Sequence, residues 1–145
     1  MPTSTVAPQA LTLLNSQEVL DRAIAFASRL LAEKHSSDED TIRRAFRLSF
    51  GRVPSDVELT ACVEHWREAS REEASRTYEP VAYPERITRT VMAEKTGEPY
   101  SFIEVMPAYA TYQPDAGPTD VDARTRGLAH VCRVLLNTNE FSYLD

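Results

Sequence analysis

Apolar residues recur at three- and four-residue steps along "NSQEVLDRAIAFASRLLAEKH" (15–35), where Leu20, Ala23, Ile24, Ala27, Leu30 and Leu31 mark one stripe. That is the helical period, and it predicts an amphipathic helix over 16–34. Asn15 is placed to cap it, because a short polar side chain accepts from the free N–H groups of a first turn. Glu18 then stands as the capping-box partner, and Leu14 can staple onto Val19. After the acidic run "SSDEDT" a second helix is predicted over 39–50, with Ile42, Ala45, Phe46, Ser49 and Phe50 on one face. Asp38, Glu39 and Asp40 open it and Arg43, Arg44 and Arg47 follow, the order the helix dipole favours. Gly51 supplies a left-handed stop. "VPSDVEL" starts a third helix over 56–74, in which Ser55 caps, Glu58 completes a capping box, and Leu59, Cys62, Val63 and Trp66 form the stripe.

Between Thr77 and Pro118 the pattern changes, since six of the nine prolines and five of the six tyrosines lie there. A shorter helix is predicted over 84–96, with Pro84 at its first position, Ile87 and Val91 inward, and Gly97 at its end. Residues 97–118 read as an irregular, aromatic-rich connection. A last helix is predicted over 122–136, capped by Asp120 or Asp122, with Leu128, Val131, Cys132 and Leu135 inward. "LLNTNE" at 135–140 echoes "LLNSQE" at 13–18, and both echoes read as capping devices, the second built on Asn137 and Glu140. The whole pattern predicts one all-α domain over 1–145: about four principal helices in a small orthogonal bundle, plus the Tyr/Pro-rich connection.

Length and composition agree with one folded unit, because 145 residues with 42% hydrophobic content can build a core. A net charge of −6 opposes attraction to nucleic-acid phosphates or anionic lipid. The helix-turn-helix outline at 44–71 is therefore not expected to bind DNA, since its second helix carries mainly glutamates. No apolar run reaches the roughly 20 residues of a membrane span, so no membrane insertion is expected. Cys62 and Cys132 fit no zinc or haem spacing; they read as small buried hydrophobes, with a bridge between them left open.

His35, His65 and His130 show no metal-ligand spacing, and no phosphate loop or nucleophile elbow is present. The many glutamates read as solvated helix-surface residues. Neither a catalytic residue nor a metal ligand is nominated, and a non-catalytic module is favoured over a self-contained enzyme.

Three phrases, "STVAPQALTLLNSQEVL", "FGRVPSDVEL" and "RGLAHVCRVLLNTNEFSYLD", together resemble the planctomycete-specific C-terminal domain of unknown function found in planctomycete cytochrome-c-type proteins. The resemblance runs from about Thr3 to Asp145. It implies that this chain is the C-terminal part of a larger, exported protein whose upstream domains are its partners. It also implies that any c-type haem belongs to that upstream region, because the chain has no Cys-x-x-Cys-His; no cofactor is expected here. In such a setting the two echoes become neighbours, and Gln9, Asn15, Asn137, Asn139 and Glu140 form a shared polar seam, either paired caps or a ligand cleft. The expected role is a structural or interaction module. The alternative is a contribution to the active site of an uncharacterised enzyme linked to cytochrome electron transfer.

Overall fold

A computed structural model describes residues 16–142. It contains helices α1 (Gln17–Ala32), α2 (Asp38–Phe50) and α3 (Asp56–Ala74), strands β1 (Arg86–Met92) and β2 (Pro99–Val105), and a 3-10 turn (Pro107–Ala110). Helix α4 (Ala123–Leu136) and a single turn, α5 (Asn139–Ser142), complete it. The chain falls into two compact units: the described residues up to Tyr78 with those from Asp115 onward, and Glu79–Pro114.

The helical unit is held by the stripes visible in the sequence. Ile24 and Leu30 of α1, Ile42 and Phe46 of α2, Val63 and Trp66 of α3, and Leu128, Val131 and Leu135 of α4 share one buried cluster. Each such side chain contributes about 1.5–3 kcal/mol when fully buried, which outweighs helix propensity as the source of order. Helix α4 is the central element and packs most extensively on α3 and α1. Gly127 permits that approach, because a Cβ there would stand 2.2 Å from Ser70 Oγ and 2.7 Å from its backbone nitrogen. Trp66 is anchored at its polar end, its Nε1–H donating to the Arg124 carbonyl at 3.0 Å. The Arg124 guanidinium lies 4.3 Å from the indole ring centre and is paired with Asp38 at 2.7 Å.

The helix starts differ in detail from the sequence expectation. Helix α1 is capped by Ser16, whose Oγ accepts from the Val19 amide at 3.2 Å, so Glu18 is a first-turn acidic residue and not a box partner. Two competent caps stand side by side and the helix uses the later one; Asn15 lies outside the described residues. Ser55 and Glu58 form a reciprocal capping box, with bonds of 3.3 and 2.7 Å. Asp122 caps α4. Gly51 ends α2 in the left-handed conformation at φ +69. Asn137 does not, having φ −104, and it is Thr138 Oγ1 that accepts from the Phe141 amide in the last turn. The second echo is therefore capped one residue later than expected.

Residues 84–96 are not a helix, and 97–118 are not wholly irregular. β1 and β2 pair antiparallel, with Thr88 opposite Ile103 and Thr90 opposite Ser101. The fold is thus mainly α with a two-stranded sheet. Ile87, Thr88, Thr90 and Val91 are β-branched and favour the pleat. Ile87 and Val91 lie on one face under a two-residue period as well as under a four-residue step, so helical spacing could not separate the two readings. Gly97, at φ +69, serves the hairpin loop, donating to Ala93 across four residues at 2.8 Å.

Candidate functional site

The sequence stripe of α3 does not stop at Trp66. It continues through Ala69 to Glu73, and Glu73 is 1% exposed. A buried carboxylate is costly unless donors surround it. Four converge on it: Tyr78 Oη at 2.6 Å and Arg126 Nε at 3.0 Å on one oxygen, Arg76 at 3.1 Å and His130 Nε2 at 3.0 Å on the other. Burial alone pushes the Glu73 carboxyl up; hydrogen bonds from Tyr78 and His130, with the charges of His130 and Arg76, outweigh it and hold the group below its ordinary value. The Tyr78 hydroxyl is raised by burial and by its bond to Glu73.

Arg126 ties this cluster to the loop before α4. Its Nη1 donates to the carbonyls of Pro118, at 2.9 Å, and Val121, while Nη2 reaches the Glu73 carbonyl at 3.3 Å. The guanidinium also lies 5.2 Å from the Tyr78 ring centre. Tyr78 is the last residue before the 79–114 unit and Pro118 follows it closely. The cluster therefore closes the helical unit at the points where the chain leaves and returns.

A His beside a carboxylate is also the geometry of an acid/base pair. The cavity bounded by Glu73, Tyr78, Arg126, His130, Leu20 and Ile24 has a volume of about 30 Å³, room for one water and not for a substrate. With both carboxylate oxygens engaged, the arrangement acts as a lock. His65 faces His130 at 6.3 Å between ring centres but does not join the cluster. Sequence reasoning missed Glu73, Tyr78, Arg126 and His130 as a set, although Glu73 at ten residues from Val63 on the apolar stripe was a signal.

Of the expected polar seam, Gln9 and Asn15 lie outside the described residues. Asn137 donates its side-chain amide to the Arg133 carbonyl at 2.7 Å, and Asn139 begins α5. Glu140 accepts from Arg52 at 2.6 Å, and Arg52 also grips Glu58 at 2.8 Å while its guanidinium stands 5.3 Å from the Phe46 ring centre. Hydrogen bonds from Arg52 and from the Ser55 amide pull the Glu58 carboxyl down to about 2. Glu140 thus serves to fasten α5 to the α2–α3 turn. Cys62 and Cys132 are free thiols, each pushed up by burial, which disfavours the reactive thiolate. Among the described residues, no cluster of His, Cys, Asp and Glu has metal-site geometry, and no helix is long and apolar enough to cross a membrane.

The 79–114 unit differs in kind. Tyr83 packs edge-on against Tyr112 and Tyr109, with ring centres 4.8 and 5.5 Å away. Arg89 pairs with Glu104 across the strands at 2.5 Å. Yet Met92, Tyr100, Phe102, Ile103 and Val105 are exposed, Phe102 by 43% and Ile103 by 54%. Glu85 with Met106 and Ala93 with Glu98 bond at the two ends of the ladder. By antiparallel alternation the N–H and C=O groups of Thr88, Thr90, Ser101 and Ile103 turn outward. Both edges of this two-stranded sheet are open among the described residues.

Residues 2–66 match the family model described as PSD1, protein of unknown function (DUF1553). That segment spans α1, α2 and the first half of α3 and stops before Glu73 and the hairpin. No curated protein and no solved structure matches the chain. Over its first part the chain is thus similar to a domain of unknown function.

Proposed function

We propose that this chain is a non-catalytic interaction module, the C-terminal part of a larger exported protein, in which the hairpin takes up an extended apolar segment from the upstream domains. The observation that carries the reading is the hairpin's combination of exposed Phe102, Ile103 and Val105 with open edges. An isolated two-stranded hairpin is marginal in water, and a third strand supplies what it lacks. The Glu73 cluster supports the same role by fixing both ends of the excursion. The alternative, a share in an enzyme active site, would have to use that cluster, whose cavity of about 30 Å³ suits one water.

Calorimetric titration of the chain with the upstream region of the same reading frame tests the proposal. Saturable association with a negative heat-capacity change, lost in the double variant Phe102→Ser/Ile103→Ser, is the expected result. Association unaffected by that variant, or no association by a folded chain, contradicts it.

A further inference from the structure

We propose that the depression at the α1–α2 turn binds a tetrahedral oxyanion group, phosphate or sulfate. In a chain of net charge −6, this depression of about 380 Å³ is lined by Lys34, Arg43, Arg44 and Arg47 against one carboxylate, Asp40. The surface excess of negative charge is locally reversed there.

Three further observations fall at this place. Arg43 and Arg47 stand four residues apart on α2, which puts both cations on one face of the helix. Lys34 has φ +53 and is the single non-glycine residue with positive φ among the described residues. That conformation suits Gly or Asn after a helix end, and strain of this sort gathers at functional positions. Finally, the arginines divide into held and available ones. Asp40 holds Arg43 at 2.8 Å, and Glu33 holds Arg44 through two bonds of 2.8 and 3.3 Å, with His35 3.2 Å from the same Glu33. Arg47 and Lys34 have no such partner among the described residues. The guanidinium N–H groups that Glu33 and Asp40 leave open on Arg44 and Arg43, together with Lys34 and Arg47, supply the charged donors that an oxyanion takes.

The test is an NMR titration of the ¹⁵N-labelled chain with inorganic phosphate, with inorganic sulfate and with chloride at matched ionic strength. Saturable shifts confined to residues 33–47 with phosphate or sulfate but not chloride are expected, and the tighter of the two names the group. Lys34→Gln/Arg47→Gln weakens binding by about 10-fold or more, the scale of lost charge-assisted bonds. Both residues are exposed, so the melting temperature stays unchanged. Arg22→Gln, about three turns away on α1, leaves binding intact. Equal shifts with chloride, no saturable shift, or full binding by the double variant overturns the proposal.

Discussion

Trp66 and Phe102 are both aromatic residues in regular structure, yet Trp66 is 1% exposed and Phe102 43%. Around Trp66, four helices contribute buried side chains, the indole N–H finds a carbonyl, and Arg124 covers the ring. Around Phe102 there are two strands, a tyrosine at 6.1 Å and solvent. The same kind of side chain closes a core in one region and remains available in the other. The chain puts its polar locks around Glu73 and leaves apolar residues of the hairpin exposed, the contrast on which the proposed contact role rests.

The largest effects are expected where that comparison is sharpest. Trp66→Ala removes the largest buried side chain and is expected to cost about 3–5 kcal/mol in urea unfolding. Glu73→Ala removes the carboxylate that Arg126 Nε, Tyr78 and His130 share and is expected to cost a similar 3–5 kcal/mol or so. A loss below about 1 kcal/mol in either variant would remove that residue from the centre of the account. Gly127→Ala comes next, at about 1–3 kcal/mol, because the new methyl meets Ser70. Adding Ser70→Gly is expected to restore only part of it, since the Ser70 backbone nitrogen, 2.7 Å from the new carbon, remains in the way.

Acid is expected to loosen the neck. The folded Glu73 carboxyl lies below its unfolded value, so its contribution is complete above pH 4.5 and declines as pH falls through the folded value. Glu73→Gln removes that part of the acid dependence, read from melting temperature against pH. Glu58 titrates near 2 in the folded chain, but its pair with Arg52 is solvent-facing and should weaken with salt. At the small end, Phe102→Ser/Ile103→Ser is expected to change the unfolding free energy of the helical unit by no more than about 0.5 kcal/mol.

The helical unit was legible because apolar residues at helical steps coincide with capping residues at the right offsets, as at Ser55 and Glu58. Adjacent competent caps, Asn15 beside Ser16 and Asn137 beside Thr138, left the ends uncertain by one residue. The hairpin was hidden because Pro84, Ile87, Val91 and Gly97 satisfy a helix and a strand-turn-strand equally well. The β-branched run between them was the better guide. Glu73 was hidden by its charge: a glutamate on a helix is usually solvated, and its partners Tyr78, Arg126 and His130 meet it only through the α3–α4 packing.

Native-state hydrogen exchange, on the chain alone and with the upstream region added, tests the central claim most directly. The account predicts that amides of α3 and α4 exchange only by global unfolding in both samples. The outward amides of Thr88, Thr90, Ser101 and Ile103 exchange rapidly alone, and one edge, Thr88 with Thr90 or Ser101 with Ile103, becomes protected when the upstream region is present. Outward amides that are as protected as α4 in the chain alone, or that stay unprotected on both edges in the complex, would contradict it.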